Sequence, residues 1–139
     1  MAKQVSHPFL LVFVFVVWCL SHAAPASAQD DLPLRDQAYL RDTVALAGVL
    51  GSAHGARFVC NGEGDQYWRA HMIELLTLEA PQRGALRTSM VNAFNTSFSE
   101  AQRRFTFCDQ NTVAAEKRYA AEGRDLADRL AAYYFPSRR

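Results

Sequence analysis

Cysteine and histidine are the side chains of this chain whose chemistry points most directly to a function. The chain has three cysteines, Cys19, Cys60 and Cys108, and two of its four histidines, His54 and His71, lie after residue 28. Thiols form lasting disulfides in oxidising compartments, whereas in the cytosol they stay reduced and serve catalysis or metal binding. The chemistry of these cysteines therefore depends on where the protein resides.

The first 28 residues have the three-part pattern of a secretory signal peptide. Lys3 lies in a short polar start, residues 9–20 are uninterrupted apolar residues, and Ala26-Ser27-Ala28 is a small-x-small cleavage site. The apolar run is well short of the roughly 20 residues that span a membrane. We therefore expect residues 1–28 to be removed, and residues 29–139 to form one helical domain. The mature protein is predicted to be periplasmic or secreted, without stable membrane insertion.

Export leaves Cys60 and Cys108 as the two cysteines of the mature chain, since Cys19 lies inside the apolar run of the signal peptide. An oxidising compartment favours a disulfide between them. Their wide separation lacks the Cys-x-x-Cys arrangement that lowers thiol pKa values in redox proteins. The sequence therefore favours a structural disulfide over a cycling redox pair.

His54 and His71 are the candidates for metal binding or catalysis. His71 and Glu74 are spaced as His-x-x-Glu, which places them on one face of a helix. A zinc site, however, needs three or four ligands, and no Gly-x-Ser-x-Gly nucleophile motif is present. We expect no catalytic residue, no metal and no cofactor. The alternative is a small envelope enzyme or metal-dependent protein that uses His54 and His71.

The charge balance argues against nucleic acid and anionic lipid as partners. The whole chain has 15 basic and 14 acidic residues, and removal of Lys3 leaves 14 of each. A neutral chain exerts no long-range attraction on polyanions. Half of the residues are hydrophobic, which is enough for a folded core. The expected partner is an unknown envelope protein, bound by a periplasmic binding or structural module through protein–protein contacts.

Tyr133, Tyr134 and Phe135 form the candidate partner-binding site. Three consecutive residues at a helix end cannot all face the core, so at least one ring is expected to be exposed. Arg138 and Arg139 follow these aromatic residues, and aromatic residues and arginine are the types that dominate interface hot spots. The alternative is that the rings fold back over the helix end.

The elements that position these residues are predicted to be helices, because apolar residues recur at helical spacing and no segment alternates as a strand would. The predicted helices cover residues 35–58, 66–79, 81–108 and 112–134. Asp65 and Thr112 are the predicted N-caps, and Pro81 suits a first helical turn. Cys60 and Cys108 then lie near the C-terminal ends of the first and third helices.

The predicted fold is all-α, a compact irregular bundle of about four helices cross-linked by one disulfide. At about 1.5 Å per residue, the second helix descends roughly 21 Å while the third climbs roughly 39 Å. A straight bundle would separate the two cysteines beyond the roughly 7 Å limit between Cα atoms for a disulfide. We therefore expect the second helix to lie across the others, or the third to tilt or bend.

Gly48, Gly51 and Gly55 interrupt the apolar pattern of the first helix. A phosphate-binding loop would need a preceding strand and a following Lys-Ser/Thr pair, and neither is present. The glycines are therefore predicted to let the helix pack closely or kink.

A set of residues spread over nearly the whole mature chain matches a known family. These residues are Tyr39-Leu40-Arg41-Asp42 to Leu50-Gly51, Cys60, Trp68-Arg69, Met72, Glu79-Ala80-Pro81, Ala93-Phe94-Asn95, Phe105, Cys108, Tyr119 and Glu122-Gly123. On them the chain resembles small secreted alphaproteobacterial proteins that have two well-separated cysteines and no established function. The family usually has Gly-Tyr where this chain has Ser97-Phe98. The resemblance implies export and a disulfide, and it supplies no catalytic residue.

Overall fold

The computed structural model describes residues 35–135, which form four α-helices and no β-strand. The helices are α1 (Gln37–Asn61), α2 (Tyr67–Glu79), α3 (Ala85–Arg104) and α4 (Gln110–Tyr134). The prediction of an all-α fold with about four helices is confirmed. The signal peptide predicted at residues 1–28 lies outside the described residues, as do Arg138 and Arg139, so the predictions made for them remain predictions.

α1 and α3 run parallel and approach each other closely. A Cβ atom at Gly51 would collide with the backbone carbonyl of Phe94, and one at Gly55 would lie 2.6 Å from the Cβ of Ala101 and 2.7 Å from the carbonyl oxygen of Phe98. A Cβ atom cannot lie so close to other heavy atoms, so only glycine fits at these two positions of α1. The prediction that the glycines permit close packing is confirmed.

α4 runs antiparallel to α1. Its N-terminal half lies beside the end of α1, where the Arg57 guanidinium pairs with Glu116 at 3.0 Å. Its C-terminal half lies beside the start of α1, where Arg129 pairs with Asp42 at 3.0 Å. Contacts at both ends therefore hold α4 along the length of α1.

α2 also runs antiparallel to α1, on a different face. Arg57 pairs with Asp65, just before α2, at 2.8 Å. At the other end of α2, the Tyr39 hydroxyl donates a hydrogen bond to the Glu79 carboxylate at 2.9 Å. Within the described residues the backbones of α2 and α4 both lie close to α1 but not to each other, which leaves a groove between these two helices.

The hydrophobic core surrounds α1, which contacts all three other helices. The buried residues of the core cluster are Tyr39, Leu46, Ala47, Leu50, Met72, Leu76, Ala80, Met90, Phe94, Leu126 and Leu130. Among residues 35–135, α1 is the one helix long and apolar enough to cross a membrane, and half of its apolar window is buried inside the fold. This burial is expected of the central helix of a bundle.

The disulfide joins Cys60 and Cys108, whose Cα atoms are 4.7 Å apart. The pairing is as predicted, but the predicted position of Cys108 on the third helix is wrong. α3 ends at Arg104, and Phe105 adopts an extended conformation. A helix continuing to residue 108 would have carried Cys108 past Cys60 at about 1.5 Å per residue. The non-helical segment instead lets Cys108 return to the end of α1, so the cysteines meet without a long bent helix.

The helix starts differ from the predicted ones. Asp109, not Thr112, caps α4, because its carboxylate accepts the Thr112 N–H at 2.7 Å. That hydrogen bond is the main reason why the pKa of Asp109 is lowered. Asp65 precedes the capping position of α2 and accepts the Tyr67 N–H at 3.1 Å. Pro81 follows α2 and lies outside α3, which begins after Gly84.

Candidate functional site

His54 is a core residue of the interface between α1 and α3. Its side chain is 3% exposed, and its ring packs against those of Phe58, Phe94 and Phe98 with centroids 5.0–6.4 Å apart. Burial, reinforced by the charge of Arg69, lowers the pKa of His54. Its buried Nδ1 atom has no hydrogen-bond partner among residues 35–135. These surroundings favour the neutral imidazole.

His71 lies on the exposed side of α2, away from the aromatic rings around His54. Its Nδ1 atom is 3.7 Å from the Glu74 carboxylate, and its ring contacts those of Tyr67 and Trp68. Within residues 35–135 no group of three or more His, Cys, Asp or Glu side chains is arranged to hold a metal ion. The structure thus does not bring His54, His71 and Glu74 together as a ligand set.

The three C-terminal aromatic residues divide into two that fold back and one that is exposed. The Tyr133 and Tyr134 rings pack against Tyr39 with centroids 4.9 and 5.5 Å apart. The Arg35 guanidinium donates a hydrogen bond to the Tyr134 hydroxyl at 3.1 Å. Phe135 is 80% exposed. The tyrosines therefore serve the fold, and Phe135 is the member of the trio whose ring is open to solvent.

These tyrosines belong to a polar cluster that joins the start of α1 to the ends of α2 and α4. Glu79 accepts a hydrogen bond from the Tyr39 hydroxyl and pairs with Arg35 at 3.1 Å. Burial raises the pKa of Tyr39, and its hydrogen bonds with Tyr134 and Glu79 raise it further. The cluster fixes the C-terminal end of α2 against α1.

A second polar cluster fixes the N-terminal end of α2. Glu116 of α4 accepts hydrogen bonds from Arg57 and from the Trp68 indole N–H, at 3.0 and 2.9 Å. Arg57 also pairs with Asp65, and this is the main reason why the pKa of Asp65 is well below its usual range. The two clusters hold α2 at both ends and so set its distance from α4.

The space between α2 and α4 is a groove with a cavity of about 430 Å³. This volume is within the range of roughly 300–1,000 Å³ that is typical of ligand sites. The residues that line the groove come from three helices: Leu46, Val49, Leu50 and Ala53 of α1, Tyr67, Trp68, His71, Glu74, Leu75 and Leu78 of α2, and Tyr119, Ala120, Gly123, Arg124 and Ala127 of α4. The floor is apolar, because every α1 residue in it has a hydrocarbon side chain.

The α4 wall of the groove consists largely of small side chains. Ala120, Gly123 and Ala127 recur at intervals of three and four residues, so they lie on one face of α4. A Cβ atom at Gly123 would lie 3.5 Å from Val49 and 3.7 Å from Leu46, which is ordinary contact. The packing of the described residues therefore does not require glycine here, and small residues keep the groove open.

The rims of the groove carry opposite charges. Arg124, on the α4 side, forms no hydrogen bond or ion pair with any residue of the described range 35–135. Glu74, on the α2 side, has a side chain that is 70% exposed. The groove thus offers an apolar floor with one cation and one anion on opposite sides.

A family match accounts for all four helices. The model of the family described as "Protein of unknown function (DUF2385)" matches residues 38–134. The chain belongs to this family. The comparisons with curated proteins and with solved structures gave no match. The predicted membership of an uncharacterised family is confirmed, while the alphaproteobacterial origin and the export remain predictions.

The groove of this DUF2385 domain was missed by sequence reasoning, which singled out the histidines and the C-terminal aromatic residues. A signal was present in α4, whose small residues recur at helical spacing beside the buried Leu126. Small residues in a helix usually indicate close packing, as they do at Gly51. The sequence does not distinguish the two cases, because the difference lies in whether another helix faces them.

Proposed function

We propose that the protein is an exported binding module that acts through contact with another envelope protein, and that the groove between α2 and α4 is its main contact surface. The observation that carries the proposal is the exposure of apolar side chains along the groove. Tyr67 and Leu78 of its α2 wall are 51% and 66% exposed. Contiguous exposed apolar surface on a soluble domain is characteristic of interaction sites.

The disulfide supports the compartment in this proposal. Cys60 and Cys108 are bonded in the structure, and structural disulfides persist in the periplasm or outside the cell. The protein is therefore proposed to act in the periplasm or after secretion.

Phe135 is proposed as a secondary contact. Of the three aromatic residues that the sequence singled out, it has the ring that is open to solvent. Tyr133 and Tyr134 contribute indirectly, because their contacts with Tyr39 hold the end of α4 that carries Phe135. Loss of Phe135 is expected to weaken binding less than closure of the groove, since a single exposed ring buries little surface.

Site-specific photo-crosslinking in the native envelope tests the proposal. A photoreactive residue at Ala120 lies in the groove, whereas one at the neighbouring Ala121 lies on the exposed side of the same helix outside it. We expect a discrete crosslinked protein from position 120 and none from position 121. Ala127→Trp fills the groove and is expected to abolish the crosslink, while Ala131→Trp, outside the groove on α4, leaves it intact.

Two results would contradict the groove as contact surface. One is equal crosslinking from positions 120 and 121, which indicates random collision. The other is a crosslink from position 120 that persists in Ala127→Trp. Circular dichroism of each variant checks that a lost crosslink does not reflect unfolding.

A further inference from the structure

The floor of the groove has the side-chain spacing of a helix-packing surface. Leu46, Val49, Leu50 and Ala53 of α1 are separated by three, one and three residues, so they lie on one face of the helix. Val49 is partly exposed, whereas the other three are buried in the fold. A partner helix in the groove would therefore pack on Val49 and on the exposed apolar side chains of the α2 wall, Tyr67 and Leu78.

The two walls of the groove differ in the size of their side chains. α2 contributes the large Trp68 and Leu75, whereas α4 contributes Ala120 and Ala127 beside one large ring, Tyr119. The distance between packed helices, about 8–10 Å, is set by the side chains at the contact. A helix can therefore approach α4 closely while its large apolar residues fill the space beside α2.

The charges on the rims lie midway along the walls. Arg124 lies between Ala120 and Ala127 on α4, and Glu74 lies between His71 and Leu78 on α2. Packed amphipathic helices carry charges in this arrangement, on both flanks of the apolar seam. A fatty acid carries a single charge at one end of its chain, which matches neither position.

We propose that the groove binds an amphipathic helix of the partner, which places an acidic residue beside Arg124 and a basic residue beside Glu74. This rests on the proposed function, because it names the chemistry of the partner at the same groove. The apolar face of the helix supplies most of the buried surface. The two flanking charges select the helix and fix its direction along the groove.

Three fluorescently labelled peptides of about three heptads test this proposal by anisotropy titration. All share one leucine and isoleucine seam. One carries glutamate on one flank and lysine on the other, the second carries glutamate on both flanks, and the third carries lysine on both. The wild-type protein is expected to bind the mixed peptide about threefold more tightly than the other two, the size expected for exposed ion pairs.

Charge variants of the protein change the expected preference. Arg124→Glu gives the groove two acidic rims, so it is expected to prefer the lysine peptide. Glu74→Lys gives two basic rims and is expected to prefer the glutamate peptide. Arg118→Glu is the matched control, since Arg118 lies on α4 outside the groove, and it should keep the preference of the wild type.

Several outcomes overturn the inference: equal affinity for the three peptides, no binding of any of them, or the same change of preference in Arg118→Glu. Saturable binding of dodecanoate that Ala127→Trp abolishes, with no peptide bound, overturns it in favour of an acyl chain. A groove-specific protein crosslink from Ala120 without any charge preference leaves the proposed function standing and removes only the amphipathic helix with flanking charges.

Discussion

α1 packs against α3 on one face and forms the floor of the groove on another, and small residues lie at both places. At Gly51 the backbone of Phe94 occupies the space where a side chain would be. At Gly123 a methyl group would make ordinary contacts with Val49 and Leu46. Small residues thus close one interface and leave the other open. The difference arises from whether a second backbone approaches.

The polar groups also differ between the closed α1–α3 interface and the open groove. His54 lies in the closed interface, where burial lowers its pKa. Arg124 and Glu74 lie at the rims of the groove, where solvent reaches them. Charged groups that stay hydrated cost little to keep charged. The closed face is therefore expected to determine stability, and the open face to determine binding.

The largest expected effect is that of the disulfide, which ties the end of α1 to the segment that follows α3. Cys60→Ser is expected to lower the free energy of unfolding by about 4 kcal/mol, because the bond joins cysteines 48 positions apart in the chain and restricts the unfolded chain. Urea unfolding of wild type and variant measures the change. Two titratable thiols in unreduced native protein would show that the bond does not form.

Next in size is the effect of Gly51→Ala in the closed interface. The added methyl group meets the backbone of Phe94, which cannot rotate away as a side chain can. Overpacking of this kind costs about 1–3 kcal/mol. The midpoint of urea unfolding should fall accordingly. An unchanged midpoint would mean that α1 and α3 are further apart than the structure has them.

The pH dependence of stability probes the same interface through His54. Its pKa is lower in the folded protein than the value of about 6.5 in the unfolded chain. Below pH 6.5 the unfolded chain therefore binds more protons, and stability falls as the pH decreases, by at most about 1.4 kcal/mol per pH unit. Unfolding free energies at pH 7.5, 6.5 and 5.5 measure the slope.

Two histidine variants assign this slope. His54→Leu removes the titrating group and should flatten the dependence between pH 6.5 and 5.5. His71→Ala removes an exposed histidine and should retain it. A slope that persists in His54→Leu would refute the assignment.

The smallest expected effect belongs to Gly123→Ala, the counterpart of Gly51→Ala at the groove. The methyl group fits, and alanine is favoured over glycine in a helix by up to about 1 kcal/mol. The melting temperature is therefore expected to stay the same or rise slightly. A clear fall would remove the distinction between the closed face and the open face.

Much of the fold followed from the sequence, because its signals are local. Apolar spacing predicted four helices, of which the third was four residues too long at each end, and the glycines in α1 indicated close packing. The errors occurred where tertiary contacts decide the conformation. Apolar spacing continues from Phe98 through Phe105 to Cys108, yet the helix ends at Arg104, and Cys108 bonds Cys60 from the non-helical segment that follows.

The candidate site was the least predictable part. Tyr133 and Tyr134 have the residue types of a binding surface, but their hydroxyls and rings are engaged by the start of α1. Their partners are distant in sequence, so no local pattern predicts these contacts. His54 and His71 are a second example, because helical spacing in the sequence does not show that they lie in different parts of the fold.

The sequence by itself determined the helical class and a nearly balanced charge, because these depend on periodicity and on composition. The tertiary structure alone decided that the backbones of α2 and α4 stay apart, and hence that a groove exists. Its width depends on the polar contacts of Glu79 and Glu116, which join residues far apart in the chain. A surface that depends on the distance between two helices has no signature within either of them.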